Sequence, residues 1–148
     1  MNPNKIQQLQ LAPDIGRQLK EQALQALPEE CCGILAGYLA GGRMHIRQLL
    51  RLVNVAQQER MANFAVADAD LIKAARLLRQ QGLELLGFYH SHPFGLPAPS
   101  RKDVASCNGW DGYSHIIVAT DGGDRTQLAA FITQRPMWKR IQIQGAES

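Results

Sequence analysis

Leu83-Glu84-Leu85-Leu86-Gly87-Phe88-Tyr89-His90-Ser91-His92-Pro93-Phe94-Gly95-Leu96-Pro97-Ala98-Pro99-Ser100-Arg101-Lys102-Asp103 joins an apolar run to a polar, proline-rich loop. The run Leu83 to His90 has the length of a strand. If the extended backbone continues through His92, a repeat of two residues puts both imidazoles on one face. Two neutral imidazoles on one face begin a metal site, and Asp103 is the nearest candidate for a third ligand. Two His nitrogens and one carboxylate oxygen leave the fourth tetrahedral position of a zinc ion open to water, as in a catalytic site. Ser100 and Asp103 also read as a helix start, a Ser cap with an acid three residues on, after the turn at Pro99. The two readings are compatible. A helix starting at Ser100 places Asp103 in its first turn, where the dipole favours a carboxylate and where it can face the strand end.

Outward from this stretch, the chain alternates helical and strand patterns. Met1 to Leu11 has no clear period and reads as a loose tail or a short pairing strand. From Pro13-Asp14, Ile15, Leu19, Ala23 and Leu27 recur at spacings of four, which predicts a helix that Pro28 ends. Cys32 to Leu39 reads as a buried strand, Gly41-Gly42 as a hairpin turn, and Met44 to Val55 as the return strand. After a polar connection from Gln57, Phe64 to Val66 is a candidate short strand. Asp68 or Asp70 is expected to cap a second helix whose apolar stripe is Leu71, Ile72, Ala75, Leu77 and Leu78, ending at Gly82. Downstream of the motif, a short helix is expected from Ser100 to about Asn108. Strands follow at Ser114 to Thr120, Gln127 to Thr133 and Trp138 to Ile143. The order α-β-β-α-β-α-β-β-β mixes hairpins with helices. It argues for an α+β fold of one domain over 1–148, with helices packed on a sheet.

Composition narrows the function classes. The 148 residues suffice for one real core, and 45% hydrophobic with 20% charged content is that of a globular protein. The net charge of +3 is mild and the basic residues are scattered, so nucleic-acid binding gains no support. No stretch has the ~20 apolar residues of a membrane span, and Met1 to Gln10 lacks the apolar core of a signal peptide. Three cysteines, two adjacent (Cys31, Cys32), make a poor disulfide framework and fit a reducing cytoplasm. No His-Glu-x-x-His occurs, nor the Pro-Cys-x-x-Cys of zinc nucleoside deaminases. His45 and His115 stand alone on strands and read as core or surface residues. Cys31 and Cys32 read as buried structural thiols, without a paired His.

His90-Ser91-His92-Pro93, six residues, Ser100, two residues and Asp103 together resemble the signature of the JAMM (MPN+) zinc metalloproteases. Pro28-Glu29-Glu30-Cys31-Cys32-Gly33 resembles the upstream glutamate setting of that family. The resemblance covers about residues 10–143 and is to the compact prokaryotic type. It implies a curved mixed β-sheet between helices, cytidine-deaminase-like, and one Zn²⁺ per chain on His90, His92 and Asp103. It implies Glu30 as general base; local sequence alone does not separate Glu30 from Glu29. It implies Ser100 as a hydrogen-bond donor to the oxyanion, and a groove edged by the 57–66 segment and by Phe94 to Pro97. Its implied substrate is a ubiquitin-like or sulfur-carrier protein, cleaved after a C-terminal Gly-Gly. Two rivals stay open: a non-catalytic MPN-type binding module, and a hydrolase of the same type acting on another small peptide or amide.

Overall fold

The computed structural model describes residues 6–60, 65–106, 110–134 and 136–146. Its elements are β1 (Gln8–Leu11), α1 (Ile15–Ala26), β2 (Cys32–Ala40), β3 (Arg43–Leu52), α2 (Asp68–Gln80), β4 (Glu84–His92), α3 (Arg101–Ser106), β5 (Ser114–Thr120), β6 (Thr126–Gln134) and β7 (Met137–Gln144). The strands run β1-β3-β2-β4-β5-β6-β7 and close into a barrel where β1 pairs with β7. Parallel pairs (β1–β3, β1–β7, β4–β5) and antiparallel ones are mixed around it, so the α+β class with a mixed, curved sheet holds.

The sheet has two dressed faces. On one, Ile15, Leu19 and Ala23 of α1 pack into a cluster with Leu9, Leu35, Ile46, Ile116 and Ile132. The spacing of four in α1 is therefore its buried stripe. On the other face, Ala74 and Leu78 of α2 cover Ile34, Ala36 and Phe88. Each large aliphatic side chain buried this way contributes roughly 1.5–3 kcal/mol. β5 is buried along its whole length, as a run with both faces covered requires.

The central strand β4 changes phase at a bulge. Leu35 faces Gly87, but Ala36 faces Leu85, so Leu86 is an extra residue. Leu86 and Tyr89 both join the α1-side core, although three residues apart. After the bulge, simple alternation puts Phe88, His90 and His92 on the opposite face. Bulges that re-aim side chains next to functional sites are a known use of the motif.

Close approach explains Gly33. A Cβ there would lie 2.3 Å from the Tyr89 hydroxyl and 2.5 Å from the Leu50 carbonyl oxygen. Gly33→Ala is expected to destabilise the fold by about 1–3 kcal/mol through overpacking, read as a lower midpoint in urea with an unchanged slope.

Several expectations need correction. Of the two readings of the N-terminal segment the short pairing strand holds: it is β1, made so by its pairings with β3 and β7, so the element order begins with β and not with α. The return strand stops at Leu52 rather than Val55, and β4 runs on to His92. Neither Asp68 nor Asp70 caps α2: the N-cap is Ala67, without a side-chain bond, and both acids lie in the first turn. Ile72, Ala75 and Leu77 are exposed, because the outer face of a sheet offers a helix one narrow contact line. Ala65 and Val66 are not in a strand. Phe64, Cys107 and the expected helix end at Asn108 lie outside the described residues. Among those described, no helix is long and apolar enough to cross a membrane.

Candidate metal centre

The end of β4 presents His90, buried, and His92, half-buried, on one face. Asp103 enters that face from α3. Its position is set by a reciprocal cap: the Ser100 amide donates to Asp103 Oδ2 at 2.8 Å, and the Asp103 amide donates to Ser100 Oγ at 3.1 Å. The helix start that local sequence suggests is thus present, and it is what aims the carboxylate. Nε2 of His90 and Nε2 of His92 lie 3.1 and 2.9 Å from Asp103 Oδ2, and 3.0 Å from each other. A tetrahedral shell with bonds of 2.0–2.1 Å has edges of about 3.3–3.4 Å. The three donor atoms are within a few tenths of an ångström of that spacing. They form the one candidate metal-holding cluster among the described residues, and their chemistry, two imidazole nitrogens and one carboxylate oxygen, fits a divalent cation.

The protonation states suit ligation. His92 Nδ1 lies 2.8 Å from the Leu96 carbonyl oxygen. A carbonyl only accepts, so Nδ1 carries the proton and a neutral ring offers the Nε2 lone pair. Burial pushes His90 down, keeping it neutral. Burial also pushes His92 down, but the Asp103 carboxylate and the Leu96 carbonyl outweigh it and raise the ring overall. Burial pushes Asp103 up, yet the bonds from both histidines and the Ser100 amide hold it well below the usual carboxylate range.

Glu30 is placed by strand register. Cys32 faces His90 across β2–β4. The Ser91 amide donates to the Cys31 carbonyl at 3.0 Å, and the Cys31 amide to Ser91 Oγ at 2.8 Å. Continued by one residue, the ladder sets Glu30 opposite His92. The Glu30 side chain is buried, and its Oε1 has no hydrogen-bond partner among the described residues. Burial pushes its carboxyl up to about 7, with His92 pulling it down and Asp103 pushing it further up. Glu29 is exposed and lies 3.7 Å from Arg60 in an ion pair. The two adjacent acids are separated in space, one at the histidines and one at the surface.

Sequence reasoning missed the clamp on Glu30. The Glu30 amide donates to the Arg60 carbonyl at 2.7 Å, and Asn54 Nδ2 donates to the Glu30 carbonyl at 3.1 Å. Asn54 Oδ1 also receives the amides of Ala56 and Ala65, each at 3.1 Å. A lone Asn after a strand carries no signal of this role. Ser91, between the two histidines, points to the other face of β4 and locks β2 to β4 through its bonds with Cys31. His45 stacks on Tyr38 at 4.7 Å, and His115 is buried against Trp138 at 4.2 Å. Neither belongs to the cluster.

The chain is similar to known proteins over most of its length. A family model described as prokaryotic homologs of the JAB domain matches residues 13–131, which include Glu30, His90, His92, Ser100 and Asp103. The chain is 31% identical over 103 residues to a desampylase from Haloferax volcanii, covering 70% of this chain and 71% of that protein. It is 35% identical over 99 residues to a Thermus thermophilus protein named "Probable TtuB-protein conjugate cleaving protease", covering 67% of this chain and 62% of that one. A solution structure of a Desulfitobacterium hafniense protein shares the fold with a TM-score of 0.81, at 24% identity, covering 91% and 90% of the two chains.

Proposed function

The chain belongs to the family of prokaryotic homologs of the JAB domain, and from that premise we propose that it is a zinc-dependent isopeptidase. It hydrolyses the bond after the C-terminal Gly-Gly of a ubiquitin-like protein of the sulfur-carrier type. The observation that carries this reading is the convergence of His90, His92 and Asp103 to about 3 Å, with the buried Glu30 set opposite His92. Two relatives, one named a desampylase and one a probable TtuB-protein conjugate cleaving protease, support the substrate class. A binding module has no use for an unpartnered buried carboxylate beside three metal donors, so that rival falls behind.

Hydrolysis of an amide needs an activated water, a polarised carbonyl and a proton for the leaving amine. His90, His92 and Asp103 would hold a zinc ion, which when bound would supply Lewis acidity and lower the pKa of water to about 7. Glu30 takes the water proton and passes it to the leaving nitrogen, a task for which a carboxyl near neutrality is matched. Ser100 Oγ accepts from the Asp103 amide. That leaves its single O–H free to donate to the developing oxyanion, an effect of about 10²–10³ in rate. The extended Gly-Gly tail lies in the cleft of about 560 Å³ lined by Glu30, Leu52, Val53, Asn54 and Arg60. Lys102 Nζ, 3.3 Å from Glu59 Oε2, ties α3 to the edge of that groove.

The test uses the full chain and a ubiquitin-like sulfur carrier extended by a few residues beyond Gly-Gly. Mass spectrometry is expected to show trimming at Gly-Gly that stops with a chelator and returns with Zn²⁺. Trimming that survives the chelator, or none after zinc is supplied, overturns the reading.

A further inference from the structure

A second pocket opens on the flank of His92 away from Glu30. It encloses about 430 Å³ and is lined by Phe94, Gly95, Ala119, Asp121, Arg125 and Gln127, within the ~300–1,000 Å³ usual for ligand pockets. It begins beside the strand neighbour of His92. Ala119 is the cross-strand partner of His92, and Gln127 is the partner of Ala119. A Cβ on Gly95 would stand 3.1 Å from His92 Cβ. Glu30 reaches His92 from the residues just before β2, the other neighbour of β4.

Two features make this pocket specific. Phe94 is held at φ 60, a left-handed conformation costly for an aromatic residue. The residue remains 60% exposed, and its ring lies so close over the β5–β6 turn that a Cβ on Gly122 would meet it at 2.1 Å. The strained loop therefore holds an aromatic wall against the hairpin. Arg125 supplies the charge: among the described residues no carboxylate pairs with its guanidinium. Asp121, the other charged residue of the lining, accepts the Gly123 amide on Oδ1 at 2.8 Å and makes no ion pair with Arg125 among the described residues.

We propose that this pocket receives the residues following the scissile bond and that Arg125 binds their free C-terminal carboxylate. The inference rests on the isopeptidase reading above and narrows it to short peptide extensions as preferred substrates. On the acyl side the Gly-Gly tail has no charge to meet Arg125. A lysine-linked conjugate brings a cationic amine and an apolar stem, not a carboxylate. A peptide extension of a few residues brings a carboxylate on the leaving side, where the pocket lies. One water is consumed, the glycine leaves as a carboxylate, and the released peptide keeps the new amine and its original C-terminus.

The experiment compares kcat/KM for a ubiquitin-like protein carrying a one-, two- or three-residue extension after Gly-Gly, as free acid and as C-terminal carboxamide. For one length the acid is expected to be preferred by about 10- to 100-fold, the range of a charge-assisted bond. The preference is expected to fall to near unity in Arg125→Gln and to persist in part in Arg125→Lys. Equal rates for acid and amide at every length in the wild-type protein overturn the proposal, as does a preference that survives Arg125→Gln. Wild-type cleavage of the carboxamides reports the hydrolase reading by itself. If those are cut without acid preference, only the Arg125 assignment fails; if neither series is cut, both fail.

Discussion

Asp103→Ala is expected to lose its zinc and to lower kcat/KM by more than about 10³-fold, since the metal's Lewis acidity is worth several kcal/mol of barrier. The substitution removes a ligand and also the group that holds the other two. Asp103 Oδ2 is the common partner of both Nε2 atoms and of the Ser100 amide. Without it the imidazoles lose their shared anchor and α3 loses half of its cap. Asp103→Asn separates the two losses: it can keep the Ser100 bond but not the anionic oxygen. Metal analysis beside circular dichroism checks this. Both variants are expected to be metal-poor, with Asp103→Asn nearer to wild type in Tm. The sign with pH follows from the depressed carboxyl. A folded-state pKa below the unfolded value of about 3.9 gives stability that is present above that value and is lost as pH falls through the folded one. The metal-free wild-type protein should therefore hold its advantage over Asp103→Ala at neutral pH and lose it in strong acid. Full zinc retention by Asp103→Ala would show that the carboxylate is only a helix cap.

The legible parts of this site were those encoded over short distances. His90 and His92 share a face because a strand repeats every two residues, and Asp103 faces them because a Ser cap with an acid three residues on is a local pattern. The α1 stripe was legible for the same reason. What was not legible depends on distant chain. Glu30 and Glu29 are adjacent acids with equal local claims. Only the register of Cys32 on His90, set across some sixty positions of sequence, turns one toward the histidines and leaves the other with Arg60. The strand Gln8–Leu11 has no period of its own and exists because it closes the sheet between β3 and β7. Alternation through the apolar run would have misplaced Leu86, since the bulge there is a property of the pair and not of one strand. Asn54 is a polar residue after a strand until its amide is seen holding the carbonyl of Glu30.

Glu30→Gln is expected to bind zinc like wild type while kcat falls by about 10²–10⁴-fold, the usual share of a positioned general base. The amide keeps the shape of the carboxyl but cannot take the water proton. The same change should stabilise the metal-free fold, and the sign is fixed by burial. Glu30 is buried without a partner for Oε1, and its carboxyl is pushed from an ordinary 4.5 up to about 7. Between those values the folded chain binds more protons than the unfolded one, so stability falls as pH rises through that window. Gln carries no charge and is spared the penalty. Above pH 7 the metal-free variant should be more stable than wild type by up to about 3 kcal/mol. Below the ordinary carboxyl value the two should converge. Urea unfolding of metal-free protein at pH 4 and pH 8 checks this. An equal difference at both pH values would mean that the carboxylate is hydrated and not held dry against the histidines. A gain confined to high pH, in a variant that keeps its zinc and loses its rate, would mean that the fold tolerates a destabilising charge at this position for the sake of its reaction.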